Sequence, residues 1–445
     1  MTQAQASRQP ASEARRGAFV FWSSLAICVP VAIWGAISPA ALADAVLAFT
    51  SFVIQDASWW WLGLCTGFVV LAAAMAFGPY GAVRLGADHE RPEFSTASWI
   101  AMLFAGGMGS GLLYWGVAEP VTHFAAPPGQ PGGTPEAARA AMRFIMLHWG
   151  FHAWAIYGVC ALVIAYFTFR LGQPSMISTP IRTLFPRGRG GPVFIGADVL
   201  GVIAVVFGLA GSLAGGTLQV RAGLAAQFGI APDLIAALAI IAVMFAAYMT
   251  SATTGLDKGI RILSNINVGL AIGIMVFVLF TGPTRFIMET FVDTLGGYLS
   301  ALPALSFRLF PYEDLTGWSA SWTLTYFTWW LAWGPFVGVF IARISRGRTI
   351  REFCGGVILV PVLFSVLWFA VFGGAGIYID LLGPGGLAEL VAQDLSEALF
   401  QFFRYFAAPS LLSLLATLLV FIFLVTSADS GAFVLAMMTS EGSLN

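Results

Sequence analysis

Trp322-Thr323-Leu324-Thr325-Tyr326-Phe327-Thr328-Trp329-Trp330-Leu331-Ala332-Trp333-Gly334-Pro335 sets several indole rings in a long apolar run. It interrupts that run with Gly-Pro and leads into the basic string Arg343, Arg346, Arg348 and Arg351. Indole faces attract cations that carry no hydrogen-bond donors, such as quaternary ammonium groups. A Gly-Pro break at membrane depth is tolerated where the backbone faces protein or a cavity. The stretch therefore predicts an aromatic binding site inside a membrane.

The rest of the chain has the matching composition. Of 445 residues 58% are hydrophobic and only 10% charged, which excludes a disordered chain and an ordinary soluble domain. A net charge of -1 implies no nucleic acid or acidic polymer as partner. Lys258 is the only lysine, and Cys28, Cys65, Cys160 and Cys354 stand alone in apolar stretches, without disulfide or metal spacing. Apolar runs long enough to cross a bilayer need about 20 residues. They fall at 18–37, 59–78, 99–118, 142–168, 193–218, 232–252, 262–282, 320–342, 354–377 and 407–428, predicting an all-α polytopic membrane protein with ten spans. The first run is read as a retained anchor rather than a signal peptide, because nine spans follow it. Placing the N-terminus in the cytoplasm puts most of the 21 basic residues in inner loops.

The third span contains Gly106, Gly107, Gly109 and Gly111, and the eighth contains Gly334-Pro335. Paired interrupted spans point to an inverted-repeat transporter with its site near the midplane. The expected organisation is a short cytoplasmic tail (1–17), two peripheral spans (18–98), a first five-helix repeat (99–282), an outer amphipathic segment (283–319) and a second repeat (320–445) that is cut short.

Each motif has two readings. The glycines of the third span serve either close helix packing or a functional break, whose carbonyls could coordinate Na⁺ and whose N–H groups could receive a carboxylate. Trp149, Trp154 and Tyr157 share one broad helical face, as an interfacial belt or as a cage. Thr426 and Ser427 are back-bonded hydroxyls or an oxygen set for a hard cation. Glu119 closes the third span as a solvated or capping acid, with proton coupling the lesser reading. His148 and His152, four apart on one helix, are weak metal candidates without a third ligand. No nucleophile–base or redox motif appears, so the chain reads as a non-enzyme with no cofactor.

Gly107-Met108-Gly109-Ser110-Gly111 through Glu119-Pro120 resembles the signature of the betaine/carnitine/choline transporters. His148-Trp149 through Tyr157, the eighth span through Ala342–Phe353, and Thr426–Ser430 are similar to further motifs of that family. The resemblance runs in order from the first span to the tenth, and is nearest to sodium-coupled glycine betaine carriers. It implies a LeuT-like inverted repeat within twelve helices, the last two missing here, and a homotrimer in the bacterial inner membrane. It places a quaternary ammonium cage at Trp149, Trp154, Tyr157 and Trp330, with Trp329 and Trp333 lining the path. It places sodium at the carbonyls of Ala105 and Met108 with Phe423, Thr426 and Ser427. Gly107, Gly109 and Gly111 are the candidates for the substrate carboxylate.

Three features depart from the family pattern. Val205 and Leu209 stand where sodium-coupled betaine carriers have threonines, Gly111 is neutral where choline-type members carry an acid, and the chain is short. The expectation is Na⁺-coupled import of a betaine-like solute. The alternatives are uptake of choline, carnitine or a sulfonium or sulfonate analogue, or a transport-inactive receptor or subunit.

Overall fold

The structure is a computed structural model, and it describes residues 8–52, 56–107, 109–186, 189–254 and 257–440. Among these residues the regular elements are all helical, with a single isolated bridge between Arg84 and Thr349. In chain order the long helices are α1 (Arg8–Ile37), α2 (Pro39–Thr50), α3 (Ser58–Phe77), α4 (Thr96–Gly107), α5 (Ser110–Ala125), α6 (Pro135–Trp149) and α7 (Phe151–Ala165). There follow α8 (Gly191–Phe228), α9 (Leu234–Thr254), α10 (Asp257–Thr281), α11 (Thr284–Leu305), α12 (Thr316–Ile344), α13 (Ile350–Leu381) and α14 (Pro409–Thr439).

Among the described residues seven helices are long and apolar enough to cross a membrane, with α6 and α7 counted together as Pro135–Arg170, or eight if a bent pair is one span. The other expected spans take different forms. The third is split into α4 and α5 around the glycines. The sixth is the shorter apolar stretch Leu234–Thr250 of α9. The seventh, α10, meets the amphipathic α11 at 112°. Trp22, Phe49, Ile235 and Phe280 are largely exposed. Apolar surface on that scale belongs against lipid rather than water.

The buried centre lies where α7 packs along α12, with α8 along α14 beside it. Nearly every side chain of α7 is buried. Asp198 of α8, itself buried, accepts from the Ser178 backbone N–H (2.9 Å), from the Ser178 hydroxyl (2.8 Å) and from Arg16 of α1. A buried carboxylate needs such saturation, and this one ties the first helix to α8.

The basic string after α12 is held in place by the loop before α4. Leu85 N–H donates to the Arg348 carbonyl (2.8 Å), Gly347 N–H to the Leu85 carbonyl (2.8 Å) and Ile350 N–H to the Val83 carbonyl (2.9 Å). Arg343 pairs with Glu93, Arg346 with Glu90, and Arg348 lies 3.9 Å over the Trp99 ring. The exposed ion pairs add little; the backbone bonds fix the end of α12.

The sequence expectation of a break at Gly334-Pro335 is corrected: α12 continues through Pro335. Proline removes one backbone donor, and membrane helices tolerate that loss. The irregularity falls earlier, in a π-turn at Ala320–Leu324. A second break, which the sequence did not announce, separates α6 from α7 at Gly150. A Cβ at Gly150 would lie 2.3 Å from the Met146 carbonyl oxygen and 2.7 Å from the Tyr298 hydroxyl. That hydroxyl accepts from the freed Phe151 N–H at 2.9 Å, so the break leaves no orphan donor there.

Candidate functional site

The breaks at Gly109 and Gly150 bring helix ends to the middle of the bundle, beside a cavity of about 850 Å³. Trp149, Trp154, Tyr157, Trp329, Trp330 and Trp333 line it. So do Gly109, Gly111, Phe423, Thr426 and Ser427. From these residues the cavity extends past Phe169 and Asp429 to the exposed Arg343, at the arginine-rich end of α12. Ala105 and Gly107 belong to the last turns of α4, and Met108 lies outside the described residues.

The rings make walls that meet nearly at right angles. Trp149 and Trp330 have centroids 5.0 Å apart at 76°, Tyr157 and Trp330 5.6 Å at 83°, and Trp154 and Tyr157 5.9 Å at 82°. Trp329 stacks on Trp330 at 5.2 Å and 8°. Four of the indole N–H groups donate away to other helices. Trp149 bonds Glu119 Oε2 (2.8 Å), Trp329 the Ser212 hydroxyl (3.3 Å), Trp330 the His148 carbonyl (2.7 Å) and Trp333 the Gly208 carbonyl (3.1 Å). The N–H edges are thereby fixed and the π faces left for a ligand. Such walls suit a cation that neither donates nor needs an acceptor.

At the start of α5, Gly109 is the N-cap in extended conformation and no side chain caps the helix. The first N–H groups of a helix have no intrahelical partner and attract anions. Gly111 sits where a Cβ would come 3.1 Å from Trp329 Cη2 and 3.2 Å from Trp149 Cη2. A side chain here would press on the tips of both rings.

Thr426 on α14 shows why its two sequence readings were not exclusive. Its hydroxyl proton is shared with the Ile422 and Phe423 carbonyls, at 3.0 and 3.1 Å. A hydroxyl has one proton and two lone pairs, so the back-bonded Thr426 still offers oxygen to the cavity. With Ser427 it forms an oxygen donor set of the kind hard cations take. Val205 and Leu209 face an apolar seam with Ala332, Trp333 and Phe336, and offer no oxygen there.

Two expectations from the sequence are corrected here. Glu119 is not a solvated acid at a span end; it is fully buried. His148 and His152 do not share a helix face, because Gly150 divides them. His148 faces Glu119 (Nδ1 to Oε1 2.5 Å) and Thr323 (Nε2 to Oγ1 2.9 Å). His152 packs on Phe327 at 5.2 Å and lies 3.4 Å from the Thr66 hydroxyl.

Sequence reasoning missed Tyr326, whose hydroxyl donates to Glu119 Oε2 at 2.6 Å and whose ring stacks on His148 at 4.9 Å. Its position four residues before Trp330 put it on the same helical face. Glu119, His123 and His148 bring three ligating atoms within 4.8 Å. The 2.5 Å separation of His148 Nδ1 and Glu119 Oε1 is a hydrogen-bond distance. Two ligands tetrahedrally around a zinc ion would stand about 3.3 Å apart. Within the cluster, Glu119 and His148 are joined by a hydrogen bond.

Residues 19–445 match the family described as BCCT, betaine/carnitine/choline family transporter. The chain is 41% identical over 428 residues to the glycine betaine transporter OpuD of Bacillus subtilis (strain 168), a match covering 96% of this chain and 83% of the relative. It is 42% identical over 433 residues to the ectoine/hydroxyectoine transporter of Virgibacillus pantothenticus, covering 96% and 85%. It is 38% identical over 426 residues to the probable glycine betaine transporter of Desulfitobacterium hafniense (strain Y51), again covering 96% and 85%.

Proposed function

The chain belongs to the betaine/carnitine/choline transporter family, and on that premise we propose that it imports a zwitterionic quaternary ammonium solute of the glycine betaine type together with Na⁺. The observation that carries this reading is the box formed by Trp149, Tyr157 and Trp330, with its indole N–H groups turned outward, beside the uncapped start of α5. The trimethylammonium group enters the box, and each desolvated π contact contributes up to about 2 kcal/mol. The carboxylate takes the free N–H groups at Gly109–Gly111. Sodium binds the oxygens of Thr426, Ser427 and Phe423, and the family resemblance adds the carbonyls of Ala105 and Met108 as further ligands. One Na⁺ entering down 100 mV supplies about 2.3 kcal/mol.

The frame for this chemistry is a LeuT-like inverted-repeat fold with ten spans in this chain, the first two of them peripheral, in a homotrimer in the bacterial inner membrane, with the N-terminus inside. The third span, split at Gly109 beside the central cavity, supports that frame. The cavity reaches toward Arg343, so a solute released along it would leave on the arginine-rich side, which the positive-inside rule makes cytoplasmic.

The second reading is an ectoine-type substrate, favoured by the similarity to an ectoine/hydroxyectoine transporter. Ectoine carries N–H donors, however, and a wall of indole faces provides few acceptors, so the trimethylammonium group fits better. Counterflow of labelled glycine betaine in proteoliposomes, with choline, carnitine and ectoine as competitors, tests the proposal. Exchange of labelled glycine betaine that ectoine and choline displace only weakly is expected. Absence of exchange would favour a receptor or subunit role.

A further inference from the structure

We propose that Glu119 is the positioning residue that makes the aromatic box selective for a cationic headgroup over a neutral one of the same shape; this rests on the quaternary ammonium reading above. Glu119 sits on α5, is fully buried and does not line the cavity. Three donors converge on its carboxylate. His148 Nδ1 lies 2.5 Å from Oε1, while Trp149 Nε1 and the Tyr326 hydroxyl reach Oε2 at 2.8 and 2.6 Å. An indole N–H can only donate, and a carboxylate takes several donors only as an acceptor. His123 Nε2 lies 3.4 Å from Oε1 without the alignment of a hydrogen bond.

The carboxylate therefore stands at the N–H edge of one wall of the box. A hydrogen bond to an ionised acceptor is short and strong. It orients the Trp149 ring, and it also places negative charge at the indole's positive edge. The π faces of the ring become better partners for a cation. Little of this field is spent on water, because the carboxylate is fully buried and does not line the cavity.

The proposal predicts a difference between two ligands, which a merely structural carboxylate would not produce. Glycine betaine and 3,3-dimethylbutyrate share a carboxylate and a three-methyl head, but only the first carries the positive charge. In Glu119→Gln the amide oxygen can still accept from Trp149 and Tyr326. Its NH₂ group can donate to His148 Nδ1, with the imidazole proton moved to Nε2 beside Thr323. The contacts survive and the charge is gone.

The experiment measures Kd for both ligands on the purified full-length protein, wild type and E119Q, with thermal unfolding alongside. Glycine betaine is expected to bind about tenfold more weakly to E119Q, and 3,3-dimethylbutyrate to change less than about twofold. Equal weakening of the two ligands, or no change in either, would overturn the proposal. Trp149→Phe supplies the second arm, because phenylalanine cannot donate to Glu119. In that background E119Q should cost glycine betaine less than about threefold, and an undiminished tenfold loss would overturn the proposal even if the neutral ligand binds too weakly to measure. If E119Q does not fold, Trp149→Phe alone carries the comparison and should weaken glycine betaine at least fivefold more than the neutral ligand. Wild-type protein that binds no glycine betaine at all would instead refute the quaternary ammonium reading.

Discussion

Replacing Trp330 with leucine removes one π face of the proposed cage while leaving an apolar side chain in its place. Trp330 is 7% exposed, parallel to Trp329 at 5.2 Å, and roughly perpendicular to Trp149 and Tyr157. A desolvated cation–π contact is worth about 2 kcal/mol. At about 1.4 kcal/mol per decade, its loss weakens Kd for glycine betaine about 30-fold. The lost bond from Trp330 Nε1 to the His148 carbonyl, 2.7 Å long, adds a further penalty of about 1–3 kcal/mol. That penalty falls on the stability of the fold and not on the ligand. The two costs separate in two assays on the same purified protein, equilibrium binding of labelled glycine betaine and thermal unfolding without it. Trp330→Phe is the control, since it loses the same N–H but keeps a π face. It should unfold like Trp330→Leu and bind several-fold more tightly. Trp330→Leu protein that is folded and binds glycine betaine within about twofold of wild type would refute the cage.

Thr426→Ala removes a cavity oxygen and should raise the Na⁺ concentration for half-maximal uptake about tenfold; uptake driven equally well by K⁺ or by a proton gradient would count against sodium there. Val205 and Leu209 lie in an apolar seam and offer no side-chain oxygen. Burying Na⁺ beside methyl groups costs several kcal/mol, on the order of an unpaired buried charge. One coupled Na⁺ per substrate and a Hill coefficient near one are therefore expected, and a reversal potential giving two Na⁺ would show that other oxygens fill the second site. Gly111→Ala should weaken glycine betaine binding about five- to tenfold without unfolding the protein, because the new methyl must displace the ring tips of Trp149 and Trp329; unchanged affinity would show that the rings have room to move.

Much of the site was legible because its parts are local. Trp149, Trp154 and Tyr157 fall on one face by helical spacing, and Trp329, Trp330 and Trp333 are nearly adjacent. All of them line the same cavity. The glycines around position 109 announced a break because each weakens a helix. What was hidden depends on distant partners. Glu119 looks like a helix-end acid until His148, 29 residues away, and Tyr326, 207 residues away, are brought to it by the fold. Gly150 sits in an apolar run that any membrane helix could carry. Its break is stabilised by Tyr298, 147 residues from the N–H it accepts. At Gly334-Pro335 the local rule pointed the wrong way, since one missing donor did not outweigh the packing of α12 along α7.

The central claim is that this protein carries a quaternary ammonium zwitterion across the membrane at the expense of a sodium gradient. Its most direct test is uptake of labelled glycine betaine into proteoliposomes of the full-length protein, with Na⁺ outside and K⁺ inside. Accumulation above the external concentration, collapsing when the Na⁺ gradient is dissipated, is the expected result. Uptake that only equilibrates, or that persists unchanged without Na⁺, would contradict it.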